Sequence, residues 1–148
     1  MASPIEDALL RRILETVPPR VVVHYRDERI GSADGDRAVL LYRQHEIAEY
    51  RVDLFLEIDG GQFHMAIECD GHDWHERTKQ QAAYDRARDR ELMCLGVFTI
   101  RFTGSEIVHS PGRCAADTWR CTMKLLDLDE LYLQRWFEGR HHATAAGR

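Results

Sequence analysis

Residues 50–71 read YRVDLFLEIDGGQFHMAIECDG, and this stretch decides the fold. Tyr50, Val52, Leu54, Leu56 and Ile58 alternate with Arg51, Asp53, Phe55 and Glu57. Beyond Asp59-Gly60-Gly61-Gln62, the residues Phe63, Met65, Ile67 and Cys69 alternate with His64, Ala66, Glu68 and Asp70. Period-two alternation on both sides of a Gly-Gly pair predicts a β-hairpin with one face toward a core. With Gly60-Gly61 as a two-residue loop, Asp53 falls opposite Glu68 and Arg51 opposite Asp70, all four side chains on one face.

Upstream of the hairpin, Val21 to Tyr25 is β-branched enough for a strand. The turn cluster Ser32-Ala33-Asp34-Gly35-Asp36 separates it from a second run, Ala38 to Ile47, and the two runs read as a hairpin. Further back, Ile5, Ala8, Leu9, Ile13, Leu14 and Val17 keep helical spacing up to Pro18-Pro19. Ser3 is the expected N-cap, with Pro4 at the first helical position and Glu6 placed as in a capping box. Downstream, a helix is expected from Trp74 or His75 to about Leu95, ended by Gly96, then a strand from Val97 to Phe102. A turn of helix is expected at Ser105 to Ile107. From about Pro111 to Phe137, one or two helices bury Ala115, Trp119, Met123, Leu126, Leu131, Leu133 and Trp136. Residues 1–138 form one domain in this reading, and 139–148 a frayed tail.

The chain has 148 residues, 44% hydrophobic and 30% charged, which suits one globular domain. No apolar run approaches the roughly 18 residues needed to span a bilayer. Met1 to Pro4 leads into a charged amphipathic stretch rather than a signal peptide, so a cytoplasmic protein without a membrane partner is expected. Cys69, Cys94, Cys114 and Cys121 form no C-x-x-C pair, which argues for reduced thiols and against a zinc knuckle. A net charge of -5 argues against a nucleic-acid partner at first sight. Yet Lys79 and Lys124 are the only lysines, and the other cations are arginines, the side chain suited to bidentate phosphate contacts.

Two carboxylates directly opposite one another destabilise a strand pair by about 0.2 to 1 kcal/mol at an exposed site. A divalent cation reverses that sign. Mg²⁺ takes one or two carboxylates, keeps several waters and uses its other positions for phosphate oxygens. Asp53 and Glu68, with the backbone carbonyl of Cys69, supply such a half-site, and the strand runs into the corner Asp70-Gly71-His72. On a helix beginning near His75, the residues His75, Lys79, Arg86 and Arg90 fall on one side, placing cations beside the acids. Metal and cations together are the requirements of phosphodiester hydrolysis. The bland alternative is a solvated sheet face on which Arg51 and Asp70 form an ordinary ion pair. Glu6 likewise has a sufficient role in capping.

Asp53, fourteen intervening residues and then Glu68-Cys69-Asp70-Gly71, followed by a helix and a strand, resembles the PD-(D/E)XK nuclease superfamily, and within it the very-short-patch-repair (Vsr)-like and related branches. The likeness extends through Tyr50-Arg51-Val52-Asp53, the tract from His75 to Ala82, Asp85-Arg86, Arg88-Asp89-Arg90 and Arg101-Phe102. It implies a restriction-endonuclease-like α/β core: a mixed central sheet of four to five strands flanked by helices. It also implies Mg²⁺-dependent hydrolysis of DNA, with Mn²⁺ as a substitute. Asp53 and Glu68 become the metal acids, and Glu6 the first-helix glutamate directed at the same metal. Asp70 stands where the superfamily usually has lysine, so the basic role passes to Lys79 or His75. Arg86, Arg90, Gln81 and His72 become the nucleic-acid contacts. With little room for a separate recognition domain, selectivity implies a homodimer or a targeting partner protein. A catalytically silent nucleic-acid-binding or assembly module, and a metal-dependent RNA nuclease, are the alternatives.

Overall fold

The computed structural model describes residues 3–71 and 78–127. Its elements are α1 (Pro4–Glu15), β1 (Val21–Tyr25), β2 (Glu28–Gly31), β3 (Arg37–Ile47), β4 (Tyr50–Ile58), β5 (Phe63–Asp70), α2 (Lys79–Cys94), β6 (Val97–Thr103) and α3 (Gly104–His109), and residues 111–127 form a further helix, α4. The β4–β5 hairpin adopts the expected register, with Leu54 facing Ile67, Leu56 facing Met65 and Ile58 facing Phe63. Its loop spans Asp59 to Gln62 rather than the two glycines alone. Asp59, Gly60 and Gly61 all take left-handed φ, at 55°, 66° and 90°, a run that glycine tolerates without a steric penalty. The longer loop is symmetric about the glycines, so the register is unchanged.

The six strands are ordered β2-β1-β3-β4-β5-β6 in one mixed sheet, parallel at β1–β3 and β5–β6 and antiparallel elsewhere. This is one strand more than the sequence suggests, because Glu28–Gly31 forms a strand of its own. The expected hairpin between Val21–Tyr25 and the 38–47 run does not form. A tight reversal at Arg26, whose φ is 55°, pairs Tyr25 with Glu28 instead, and the chain then returns to lay β3 parallel on the opposite side of β1. The Arg37 N–H donates to the Arg20 carbonyl at 3.0 Å, and Arg20 pairs with Asp36 at 2.9 Å, fixing that return.

On one face of the sheet, Leu9, Leu10 and Ile13 of α1, Ile107 of α3 and Ala115, Trp119 and Leu126 of α4 pack against Val39, Leu41, Leu54, Leu56, Met65 and Ile67. Each fully buried aliphatic side chain contributes about 1.5–3 kcal/mol. The Trp119 indole N–H satisfies the Ile13 carbonyl at 3.0 Å, tying α4 to the end of α1. The expected core positions Leu131, Leu133 and Trp136, and the tail 139–148, lie outside the described residues. On the other face α2 is held by a smaller cluster in which Leu92 meets Val52, Phe55, Ala66 and Val97.

Val52 and Phe55 share that cluster although they are three residues apart, whereas Leu54 belongs to the opposite face. Strict alternation therefore breaks at Asp53. A matching break lies on β3, where Gln44 takes a left-handed φ of 49°. Tyr42 and His45 both stack toward Phe55, while Arg43 and Gln44 both reach toward α1. The paired kinks determine where the acids point.

Candidate active site

Ser3 caps α1 by accepting the Glu6 N–H at 3.3 Å, as expected. The Glu6 carboxylate does not reach back to complete a capping box. Glu6 is 6% exposed, and it receives the Gln44 amide at 2.9 Å with the Arg43 guanidinium 3.7 Å away. The same Gln44 nitrogen donates to Asp53 at 3.3 Å. The other Asp53 oxygen accepts the Cys69 N–H at 2.7 Å, which takes over from the ladder where the β4–β5 pairing ends at Leu54 and Ile67.

Glu68 is 5% exposed and forms an ion pair with Arg88 of α2. Arg88 also donates to the Arg51 carbonyl at 2.7 Å and lies 5.9 Å over the Tyr50 ring. Burial pushes the Glu68 carboxyl up to about 7; Arg88 works against this, while the Asp53 charge and a hydrogen bond with Asp53 add to it. The negative charge of Asp53 therefore adds to the effect of burial in favouring the protonated Glu68 carboxyl. Burial likewise raises the Cys69 thiol, reinforced by Asp53, Glu6, Glu68 and Asp70, so all four candidate acids act on one point.

Asp70 pairs with Arg101 at 3.2 Å rather than with Arg51, which instead pairs with Glu46 at 2.7 Å. The parallel β5–β6 register explains the exchange: Arg101 sits beside Glu68, whereas the antiparallel β3–β4 register sets Arg51 against Glu46. Arg101 also grips Asp89 through both nitrogens, at 3.1 and 2.6 Å. Burial disfavours its charge, but Asp89 and Asp70 more than offset that and hold the guanidinium above its ordinary range.

Helix α2 starts later than the sequence suggests. Thr78 is its N-cap, in a capping box with Gln81, so Lys79 is the first helical residue. His75 and His72 lie outside the described residues. Lys79 and Gln81 are exposed at the start of α2, and Arg86 and Arg90 are exposed along it. The helix turns Arg88, Asp89 and Leu92 inward, so the cationic stripe faces solvent and the cations that meet the acids are Arg88 and Arg101. A 100° wheel places Arg88 roughly opposite the Lys79–Arg86–Arg90 stripe, but α2 has only Leu92 buried, and so little amphipathic signal marks which side meets the sheet.

Glu6 and Asp53 share the Gln44 amide, and Glu68 and Asp70 flank Cys69, whose N–H Asp53 accepts, whereas Lys79, Gln81, Arg86 and Arg90 line the surface of the adjacent helix. Among the described residues, no three His, Cys, Asp or Glu side chains are grouped to hold a metal ion. The set suits Mg²⁺, which takes few protein carboxylates and completes its shell with water and phosphate oxygens. Gln44, Arg43, Arg88 and Arg101 were not singled out as site residues from the sequence. An arginine two residues from Arg86 and another opposite Glu68 in the next strand were the available signals.

The family model REase_MTES_1575, of restriction-endonuclease-like proteins, matches residues 36–121, more than half of the chain. That span runs from the start of β3 into α4; it includes Gln44, Asp53, Glu68, Asp70, Arg88 and Arg101 and excludes Glu6. No curated protein and no solved structure matches the chain.

Proposed function

Because the chain belongs to the restriction-endonuclease-like family REase_MTES_1575, a family of nucleases, we propose that it is a metal-dependent endonuclease that hydrolyses DNA phosphodiester bonds, close to the very-short-patch-repair-like branch. The observation that carries the reading is the placement of the half-buried Asp53, held by the Cys69 N–H, beside the strand end that carries the buried Glu68. Asp53 and Glu68, with the Cys69 carbonyl, would hold Mg²⁺ or Mn²⁺. The bound ion would supply Lewis-acid polarisation of a phosphate oxygen and a water deprotonated near neutral pH.

The chain's own residues do the rest. The Cys69 N–H fixes one Asp53 oxygen and the Gln44 amide, braced by Glu6, fixes the other, so the carboxylate cannot turn away. Arg88 and Arg101 orient Glu68 and Asp70 from α2 and β6. In hydrolysis, a water oxygen bonds to phosphorus and one phosphorus–oxygen ester bond breaks. Lys79, with His75 as the other candidate, is proposed to orient that water in place of the usual lysine. Arg86 and Arg90 are proposed to contact the backbone phosphates along the exposed side of α2.

The test is incubation with supercoiled plasmid and with single-stranded DNA in Mg²⁺, Mn²⁺ or EDTA, beside Asp53→Ala and Glu68→Ala. Metal-dependent cleavage lost in both variants is expected; cleavage that survives both overturns the site. One observation favours a second reading, a silent nucleic-acid-binding module: Arg88 and Arg101 already offset Glu68 and Asp70. DNA binding without cleavage under every metal would favour it.

A further inference from the structure

We propose that Gln44, braced by Glu6, stands in for a cation at Asp53, and that on metal binding its amide turns to present Oε1 as a further oxygen ligand beside Asp53. The inference rests on the metal site proposed above. Two facing carboxylates accept hydrogen bonds and donate none, so the amide nitrogen must face them, and it lies 2.9 Å from Glu6 and 3.3 Å from Asp53. Its amide therefore lies between two acids as a neutral group that contributes two N–H donors.

The backbone is shaped for this placement. Gln44 sits within an 11-residue strand at φ 49°, a left-handed conformation costing about 1 kcal/mol or more for a residue with a Cβ. That kink turns Gln44 to the α1 side, where Glu6 waits, whereas unbroken alternation would keep it apart from its neighbour Arg43. The strain is retained where it joins two acids from different elements.

The chemistry then asks for a switch. Mg²⁺ binds oxygen at about 2.0–2.1 Å and has no use for an N–H directed at it. The terminal torsion of glutamine is broad and roughly two-fold, so a half turn exchanges Nε2 for Oε1 without moving the backbone. The exchange would add a side-chain oxygen donor beside the Asp53 carboxylate. A glutamate at this position would serve the metal equally well but would add a third carboxylate to the metal-free protein, with no N–H to satisfy Glu6 and Asp53.

The experiment is a Mg²⁺ titration of the full-length ¹⁵N-labelled protein, following the Gln44 side-chain NH₂ signals, identified by their loss in Gln44→Met, and the Cys69 backbone amide. Both are expected to move with one binding curve, and Asp53→Asn to abolish both changes. Gln44→Glu should bind Mg²⁺ at least about tenfold more tightly and melt at lower temperature without metal. Gln44→Met, folded by circular dichroism, should bind about tenfold more weakly. A Cys69 amide that responds while the Gln44 NH₂ signals stay fixed, with both variants binding like wild type, overturns the role of Gln44 and leaves the metal site standing. A Mg²⁺ response that persists in Asp53→Asn overturns the metal site itself.

Discussion

Replacing Glu68 with glutamine should stabilise the metal-free protein at alkaline pH relative to wild type. The Glu68 carboxyl is 5% exposed and is raised from its ordinary 4.5 to about 7, first by burial. Its folded-state value lies above its unfolded one, so the folded state binds the proton more tightly. The resulting stability is fully present below about pH 4.5 and is lost as pH rises through about 7. A displacement of that size corresponds to about 3 kcal/mol, at about 1.4 kcal/mol for each tenfold change. Glutamine keeps a carbonyl for Arg88 and carries no titrating group. Between pH 5 and pH 8.5, the stability of Glu68→Gln minus that of wild type should therefore rise by about 2.5 kcal/mol, the remainder falling below pH 5. Urea unfolding in EDTA measures the difference directly. With a slope of about 2 kcal/mol per molar urea, the two midpoints should move relative to one another by about 1.3 M. A gap unchanged between the two pH values, or one that moves in favour of wild type as pH rises, would refute the burial argument.

The same proton should appear in metal binding. Calorimetry of Mg²⁺ binding in two buffers of different ionisation heat should find about one proton released at pH 6 and almost none at pH 8.5, because the ion displaces the proton held by Glu68. Arg101→Leu should cost about 3 kcal/mol in chemical denaturation, the low end for a broken buried pair because the Asp89 side chain is 37% exposed. Arg101→Lys should recover little of this, since a lysine cannot span both Asp89 oxygens. Arg86→Ala and Arg90→Ala should each leave stability within about 0.5 kcal/mol of wild type. Each should weaken DNA binding and lower the slope of log affinity against log salt by about 1, measured by fluorescence anisotropy.

The parts of the fold that were legible are those governed by local pattern. Alternation through residues 50–70 is strong enough to set the hairpin register, and Ser3-Pro4 with the Pro18-Pro19 stop brackets α1 closely. What failed depended on long-range partners. Four residues, Glu28–Gly31, carry too little pattern to announce a strand, and whether β1 and β3 run parallel or antiparallel is decided by a tight reversal at Arg26, a residue type with no turn preference to display. The start of α2 was misplaced because helical composition upstream obscured Thr78, although Thr78 and Gln81 have capping-box spacing.

The site divides along the same line. The sequence displays a hairpin register whose pairing ends at Leu54 and Ile67, one position short of Asp53 and Glu68, but the approach of Asp53 to Glu6 depends on kinks at Gln44 and Asp53 that no residue type advertises. Without those kinks, Asp53 would face α2 and Glu6 would remain a cap on the far side of the sheet. The kinks also settle the charge problem posed by a chain carrying -5. Glu6 lies near Arg43, Glu68 pairs with Arg88 and Asp70 with Arg101, so three of the four acids have an arginine in the metal-free protein. Among the described residues, the donors to Asp53 are the Cys69 N–H and the Gln44 amide, both neutral. The uncompensated charge is therefore concentrated at Asp53, at the open end of the β4–β5 ladder. In the proposed site a divalent cation would be drawn first to Asp53, and the acidity of the whole chain would not bar an anionic substrate from the exposed arginines of α2.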